Sequence, residues 1–368
     1  MYLKSLSVIN FKNYDEGEFS FSETVNAFTG NNGAGKTNLL DAIHYLSLCK
    51  SFFNPIDSQQ IKQEKDFFVI QGKFNKSNAE ELVAVGVKKN HKKQFKRNKK
   101  EYTRLADHIG LFPLVMISPN DISLILEGSE ERRKFIDNAL SQTDSNYLDE
   151  LIIYNKTLQN RNALLKQIAD TGQFDASLIE VYDEQLVHCG QKIFDKRKAF
   201  IEIFMPVFNH YYQYISNQTE VVELVYESQL FDNDFKILLS NSLRRDRILQ
   251  RTTTGIHKDE LVFTIHNMPL KKFGSQGQQK SFLIALKLAQ YAILNNLKGF
   301  KPLLLLDDIF DKLDEHRVKK LMEMVSNDDF GQIFITDTNA NRIKTIFNEI
   351  GKTPKIFEIY NGKLNEQN

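Results

Sequence analysis

Residues 30–37 constrain the fold of this chain more than any other segment. They follow the apolar run 25–29 and precede leucine and isoleucine residues at helical spacing. The segment consists of Gly30, Asn31, Asn32, Gly33, Ala34, Gly35, Lys36 and Thr37. Small residues between a strand and a helix let backbone N–H groups converge on phosphate oxygens, and the helix N-terminus and the lysine add favourable charge. The pattern therefore predicts a nucleotide-binding loop in an α/β domain.

A short buried strand followed by two carboxylates is predicted in the second half of the chain. Residues 303–306 are four leucines, and Asp307 and Asp308 come directly after them. Acids in this position often only solvate a loop, but beside a phosphate loop the functional interpretation is stronger. We expect Thr37 and Asp307 to hold Mg²⁺, with Asp307 acting through water, and Asp308 to orient or deprotonate the attacking water.

The segment 273–280 leads into a helix predicted over 278–297 and includes its first residues. In the plainer interpretation Ser275 caps this helix and the neighbouring glycines allow a turn. In the functional one, the hydroxyl of Ser275, the N–H of Gly277 and the helix dipole form a second anion site. The sequence alone leaves both interpretations open at this point.

Chain length and periodicity predict two lobes. With 368 residues the chain exceeds what one core usually organises. Long helical periodicity over 129–216 predicts an inserted helical lobe, and 1–128 and 217–368 are expected to form one α/β domain from both chain ends. Two distant cysteines exclude a disulfide framework, and the absence of a signal peptide or an 18-residue apolar run predicts a cytoplasmic protein without a membrane segment.

Positive charge is concentrated locally, since 48 basic residues balance 47 acidic ones. Residues 88–104 contain nine Lys or Arg and one acid, with two aromatic residues interleaved. The run is either a solvated hairpin or a surface for DNA phosphates. The expected contacts are Lys92, Lys93, Lys96 and Arg97. Other arginines are read as surface ion pairs on helices or as DNA or interface contacts, namely Arg132, Arg133, Arg161, Arg244, Arg245 and Arg247.

Several longer strings occur in the order typical of the RecF family. These are 10–14 (Asn-Phe-Lys-Asn-Tyr), the phosphate loop, 117–121 (Ile-Ser-Pro-Asn-Asp), 132–137 (Arg-Arg-Lys-Phe-Ile-Asp), 159–162 (Gln-Asn-Arg-Asn), 255–259 (Gly-Ile-His-Lys-Asp) and 275–279 (Ser-Gln-Gly-Gln-Gln). The chain thus resembles a family of bacterial recombination mediators related to the heads of SMC and Rad50 proteins. The resemblance implies an ABC-type (Rad50/SMC-head-like) P-loop ATPase domain built from both chain ends.

The resemblance also implies a mode of action. ATP would drive head-to-tail dimerisation on DNA at gaps and double/single-strand junctions. Weak, DNA-stimulated hydrolysis would release the dimer, in recombinational repair, replication restart and the SOS response. RecR, RecO and RecA would be partners. Ser275 and Gly277 would meet the γ-phosphate of the partner subunit, Lys12 would contact nucleotide, and residues 310–314 (Phe-Asp-Lys-Leu-Asp) would lie along the dimer interface.

Three positions depart from the family pattern. Lys12 stands where arginine is usual and lacks its planar fork. The residues after Ile335 include no switch histidine, and no glutamine loop is evident near 119–121, so the γ-phosphate sensor is unassigned. The role of His257 is open.

Three other functions compete with that of an ATP-gated DNA-binding protein. A scaffold with a vestigial nucleotide site is the main alternative, although the chain keeps the phosphate loop, both carboxylates and Ser275. A Rad50-like nuclease partner would need a long coiled coil that a lobe of roughly ninety residues cannot supply. The remaining length also leaves no room for the second RecA-like domain of a motor.

Overall fold

The computed structural model describes residues 1–216, 220–310, 315–326 and 329–364. Within these ranges, every helix is too short or too polar to span a lipid bilayer. Of the residues predicted to lie along a dimer interface, 310–314, Phe310 is buried and 311–314 lie outside the described ranges.

The chain forms two compact units. The first combines residues 1–121 and 280–368, and the second is the segment 122–279. The second unit is larger than the helical lobe predicted over 129–216. The reason is that strands and a helix from residues 222–265 pack against the helices of the lobe.

The strands are numbered in chain order. They are β1 (Tyr2–Ile9), β2 (Glu16–Ser20), β3 (Val25–Thr29), β4 (Phe67–Lys76), β5 (Ala79–Lys88), β6 (Gln94–Arg97), β7 (Lys100–Glu101), β8 (Leu114–Ile117), β9 (Val222–Glu227), β10 (Glu260–Ile265), β11 (Met268–Pro269), β12 (Leu303–Leu306), β13 (Ile333–Asp337), β14 (Lys355–Tyr360) and β15 (Lys363–Leu364).

The α-helices are numbered in the same way. They are α1 (Lys36–Leu48), α2 (Ser123–Leu126), α3 (Ser129–Thr143), α4 (Ser145–Thr171), α5 (Ala176–Ser216), α6 (Phe235–Leu249), α7 (Leu270–Phe273), α8 (Gln276–Lys298), α9 (Glu315–Val325) and α10 (Ala340–Glu349). The boundary between the two units at residue 280 falls within α8.

The first unit contains two sheets. The mostly parallel sheet has the order β15-β14-β3-β13-β12-β8, with only β15 antiparallel to its neighbour. Its strands β3, β8, β12 and β13 are buried along their whole length, as strands covered on both faces are. Because the carboxyl ends of parallel strands meet at one edge, the loops after β3, β12 and β13 come together there.

The other sheet of the first unit is antiparallel, with the order β2-β1-β4-β5-β6-β7. Helix α1 contacts β4 and β5 of this sheet as well as β8 and β13 of the parallel sheet. Its Leu39 and Ile43 belong to the same apolar cluster as Phe68 and Phe334. A helix with neighbours on opposite sides is buried nearly all round, and this burial fixes the helix that follows the phosphate loop.

The second unit is built on α4 and α5, which pack along each other, with a three-stranded sheet of order β11-β10-β9. Asp144 begins α4 by accepting hydrogen bonds from the backbone N–H groups of Asn146 and Tyr147. Gly172 ends the helix in the left-handed region at φ 72°. Residues 172–175 therefore separate α4 from α5.

Two fully buried arginines hold this unit together. Arg197 of α5 pairs with Asp137 and with Asp259, each at 2.9 Å. Arg161 of α4 pairs with Asp183 at 2.6 Å and with Asp246 at 2.7 Å. Arg161 is therefore an internal ion-pair residue and does not lie on a helix surface as the sequence suggested. Buried ions of this kind are stable only when they are paired on several sides.

Candidate nucleotide site

The phosphate loop joins the end of β3 to the start of α1 and contains three glycines with positive φ, two of which are closely packed. Gly30 has φ 141°, and a Cβ there would lie 2.2 Å from the carbonyl oxygen of Ile359. Gly35 has φ 116°, and a Cβ there would lie 2.6 Å from Nδ2 of Asn13. No other residue type fits either position. The glycine pattern that predicted the loop is thus required by its backbone.

Asn13 and Tyr14 support the loop from outside. Nδ2 of Asn13 donates to the carbonyl oxygen of Ala34 at 3.0 Å, and Oδ1 of Asn13 accepts from Asn38 at 2.8 Å. The hydroxyl of Tyr14 donates to the carbonyl oxygen of Gly35 at 3.1 Å. Sequence reasoning assigned no physical role to these two residues. The string 10–14 directly after β1 was the signal available.

Lys36 lies within the loop and is buried. Its Nζ donates to the carbonyl oxygens of Gly30 at 2.8 Å and Asn31 at 3.0 Å. Both acceptors are neutral carbonyl oxygens. The charged oxygens of a bound phosphate would be stronger hydrogen-bond partners for the ammonium group. The ammonium is therefore already directed into the loop.

Asp307 connects the acidic strand to the phosphate loop. Its Oδ1 accepts hydrogen bonds from the hydroxyls of Thr37 at 2.8 Å and Thr336 at 2.9 Å. Burial raises the pKa of Asp307 to about 6, and neighbouring Asp308 adds to the rise, while the two hydroxyls and Lys36 oppose it. A bound cation would therefore stabilise the ionised form of the Asp307 carboxyl.

Asp308 follows with a left-handed backbone, φ 43°. Its N–H donates to the hydroxyl oxygen of Thr336 at 2.8 Å. Asp308 is only partly buried, in contrast to Asp307. The two adjacent carboxylates therefore occupy different environments: Asp307 is buried against two hydroxyls, and Asp308 is partly exposed.

Thr336, which sequence reasoning missed, bridges both carboxylates. It is the second-last residue of the buried strand β13, which lies between β3 and β12 in the sheet. Its neighbour Asp337 points into a separate ion pair with Arg342 at 2.8 Å. The signal available in the sequence was the polar Thr336-Asp337-Thr338 end of an apolar run. After Ile335, where a switch histidine would be expected, the structure has the hydroxyl of Thr336 beside the two carboxylates.

Lys12 was expected to contact nucleotide, and the structure gives it a different partner. Its Nζ pairs with Asp41 of α1 at 2.6 Å. The buried Asp41 also accepts from the hydroxyl of Ser51 at 2.7 Å and from the N–H of Phe52. Lys12 is therefore anchored to the helix behind the phosphate loop, and its nucleotide contact remains a prediction.

Ser275 begins α8 in the second unit as a reciprocal cap. Its hydroxyl oxygen accepts from the N–H of Gln278 at 3.2 Å, and its own N–H donates to Oε1 of Gln278 at 2.7 Å. Nε2 of Gln278 also donates to Glu220 at 3.0 Å. The capping interpretation is confirmed. The hydroxyl of Ser275 is exposed, and the cap uses only its oxygen as acceptor.

The predicted basic hairpin over 88–104 is formed by β6 and β7. Two of the four residues expected to bind DNA are occupied by partners within the fold. Lys93 pairs with Asp57 at 2.8 Å, and Arg97 is bidentate to Glu81. Among the described residues, Lys92 and Lys96 have no such carboxylate. All four phosphate contacts stay predictions, and Lys92 and Lys96 are the two whose charges no carboxylate of the described residues pairs.

His257 is a structural residue in the second unit. Its Nε2 donates to the carbonyl oxygen of Thr252 at 3.2 Å, so its Nδ1 accepts from the hydroxyl of Tyr154 at 2.8 Å. This pairing fixes the neutral tautomer, and burial lowers the pKa of His257 to about 4. His257 thus orders the loop that carries the 255–259 string.

We expect the protein to lose stability as pH falls, because burial lowers the pKa of His44, His108 and His257 to about 4. Their unfolded value is near 6.5, so the unfolded chain binds protons first and the loss starts below that pH. Each histidine should contribute about 2 kcal/mol of loss between pH 7 and pH 5. Urea unfolding at both pH values measures it, and equal midpoints would contradict the neutral assignment.

Comparison with known proteins agrees with the site. The family described as RecF/RecN/SMC N terminal domain matches residues 2–357. The DNA replication and repair protein RecF of Flavobacterium johnsoniae is 52% identical over 359 residues, which is 98% of this chain and 100% of that protein. The protein of the same name from Phocaeicola vulgatus is 50% identical over 369 residues, which is 100% of this chain and 99% of that protein.

Solved structures give the same result. The structure of the recombination mediator protein RecF-ATPrS in the RecFOR pathway has a TM-score of 0.89 and 32% identity, covering 100% of this chain and 98% of that one. An SMC head bound to the C-winged helix domain of ScpA has a TM-score of 0.57 at 16% identity, covering 99% and 96%, and shows the shared fold. The predicted α/β ATPase fold is confirmed, and the chain belongs to the RecF family.

Proposed function

We propose that this protein is an ATP-dependent DNA-binding protein of recombinational repair and replication restart. Two copies would pair head-to-tail around ATP on gapped or junction DNA, and slow hydrolysis would release them. The observation that carries this proposal is the hydrogen-bonded chain from Thr37 through Asp307 to Thr336, which connects the phosphate loop to the acidic strand. A protein acting on bacterial DNA works in the cytoplasm.

The residues of the first unit fit the triphosphate of ATP and a magnesium ion. The ammonium of Lys36 is held in the loop by neutral carbonyls, which phosphate oxygens would replace as stronger partners. Thr37 and Asp307 supply a hydroxyl and a carboxylate 2.8 Å apart, and hard oxygen donors are what Mg²⁺ prefers. The raised pKa of Asp307 indicates a carboxylate that a divalent cation would stabilise.

Different tasks are proposed for the two carboxylates. Mg²⁺, when bound, would neutralise charge on the phosphates. Asp308 has open access to solvent and would orient or deprotonate the attacking water. Thr336 donates to Asp307 and accepts from the N–H of Asp308, so it holds the two side chains in a fixed relation. We propose Thr336 as a positioning residue of this site.

The dimer is proposed from the signature segment. Ser275 and Gly277 lie at the start of the 23-residue helix α8, where the helix N-terminus favours an anion. The exposed hydroxyl of Ser275 retains its proton for a further acceptor, since the cap uses only its oxygen. We propose that this acceptor is the γ-phosphate of ATP bound to the second copy.

The proposed setting follows from the relatives. Those at about 50% identity are named DNA replication and repair proteins, and the solved relative is a recombination mediator of the RecFOR pathway. We propose that this chain acts in the same pathway, with DNA, RecO, RecR and RecA as its partners. The Asp307 network argues against a scaffold with a vestigial site, because a site without function has no need to keep buried carboxylate chemistry.

Replacing Asp308 with asparagine is expected to leave ATP binding intact and to lower ATP turnover by about 100-fold or more, because only the water-activating carboxylate is lost. The dimer should then persist on DNA. Phosphate release and light scattering with ATP and gapped DNA would measure both effects. Equal turnover in Asp308→Asn and the unchanged protein would remove Asp308 from the mechanism, and no turnover in either would favour the scaffold.

Charge reversal on the hairpin is expected to weaken DNA binding at every sequence alike. The variant Lys92→Glu/Lys96→Glu removes cations that have no carboxylate partner among the described residues. The plot of log affinity against log salt should become shallower by about 0.9 for each lost phosphate contact. Fluorescence anisotropy over a salt series measures the slope. Basal ATP turnover should be unchanged, and an unchanged slope would assign the run to a solvated hairpin.

A further inference from the structure

The second unit carries exposed cations that the proposed nucleotide chemistry does not use. Arg244 and Arg245 lie near the end of α6, and Arg251 and Lys258 lie in the loop that follows it. All four side chains are exposed. Within the described ranges, no carboxylate forms an ion pair with any of them. We call these four residues the α6-loop cluster.

Arg251 and Arg245 of this cluster lie close enough to Lys258 to repel its charge. Partial burial lowers the pKa of Lys258, and the charges of Arg251, Arg133 and Arg245 lower it further, against a smaller opposing effect of Asp246. Cations at the C-terminal end of α6 gain from the helix dipole, but this gain fades within one turn and cannot account for Lys258. Folding thus gathers like charges here without neutralising them.

Three acids close in sequence to this cluster are paired with other arginines. Asp246 is bound by Arg161 at 2.7 Å, and Glu260 is bound by Arg132 at 2.7 Å. Asp259 is held by Arg197 in the same way. These three carboxylates are thus held by other arginines, and the exposed charges of the α6-loop cluster itself are all positive.

The loop that carries the cluster is rigid. The N–H of Thr252 donates to Asn162 at 2.7 Å, and the N–H groups of Thr253 and Arg251 donate to Asp246 at 2.9 and 3.1 Å. Gly255 has φ 119°, and a Cβ there would lie 2.6 Å from the ring of Phe235. Cations on a fixed backbone lose little conformational freedom when they bind a polyanion.

We propose that the α6-loop cluster is a second binding site for the phosphate backbone of DNA, separate from the β6–β7 hairpin. The choice of DNA as the polyanion rests on the proposed function, whereas the positive surface itself does not. Four cations, two at the end of α6 and two on the hydrogen-bonded loop after it, suit a regular array of phosphates, whose condensed counterions are released on binding. An acidic protein segment is the competing ligand, and the experiment below separates the two.

The test is the variant Arg245→Gln/Arg251→Gln/Lys258→Gln. Its affinity for a labelled mixed-sequence duplex should fall at least about tenfold, and the salt slope should become shallower by about 0.9 for each lost contact. Lys236→Gln is the matched control, since Lys236 is exposed at the other end of α6. Binding of a fluorescent ATP analogue should be equal in all proteins, which shows that the nucleotide site is folded.

An affinity and a salt slope equal to those of the unchanged protein would overturn the inference. If polyglutamate binding falls in that case, the site takes an acidic protein segment. If the hairpin variant loses DNA binding and the triple variant does not, the α6-loop site is wrong and the proposed function still stands. Should the triple variant not fold, acetylation of the unchanged protein decides the matter. DNA should protect Lys258 but not Lys236 from the reagent, and equal labelling of Lys258 with and without DNA would also overturn the site.

Discussion

Mixing two inactive variants, Lys36→Ala and Ser275→Arg, is expected to restore part of the ATP turnover. Lys36→Ala alone should abolish ATP-dependent dimerisation, because the main cation of the phosphate loop is lost. Ser275→Arg alone should be inactive, because a bulky side chain then stands where we expect the γ-phosphate of the second copy. In a mixed dimer both changes fall on one site and leave the other unchanged. Recovery of up to one active site per dimer is the expected result.

The controls for this experiment are simple. Each variant is assayed alone at the total protein concentration of the mixture, with turnover and light scattering followed together. Recovery in the mixture only would show that one site contains residues from two chains. Normal ATP turnover by monomeric Ser275→Arg would contradict a site shared between two chains. The serine would then be only the helix cap that the structure shows.

Replacing Arg197 with alanine is expected to destabilise the second unit by about 3–5 kcal/mol. The guanidinium is 2% exposed and pairs with both Asp137 and Asp259. It also donates to the carbonyl oxygen of Ile256 at 2.9 Å. Its removal leaves Asp259 buried without a counter-ion, and burial already raises the pKa of that carboxyl. Urea unfolding followed by circular dichroism measures the loss.

A matched variant distinguishes this loss from a general effect of removing charge. Lys134 is an exposed cation of α3 that pairs with Glu130 and Glu131 at 2.9 and 2.8 Å. Lys134→Ala should change stability by only about 0–1 kcal/mol, since solvent screens exposed pairs. If Arg197→Ala were as mild as Lys134→Ala, the buried network would not be what stabilises the unit.

The nucleotide loop, the acidic strand and the serine cap were predictable from the sequence. Each depends on residues that are neighbours in the chain, such as the glycines of 30–35 that must adopt positive φ or Ser275 three positions before Gln278. Local backbone geometry leaves a local signature. The order of longer strings then identified the family, and the family comparisons confirmed the fold.

The pairing of side chains was decided only by the tertiary structure. Thr336 is 29 positions from Asp307, and Thr37 is 270 positions from it, yet both hydroxyls meet one carboxylate oxygen. The same holds for Lys93, which the sequence offered to DNA and the fold gives to Asp57. A charged residue shows its type in the sequence but not its partner. The partner is set by which strands become neighbours in a sheet and by how much burial each charge must offset, and both arise from packing.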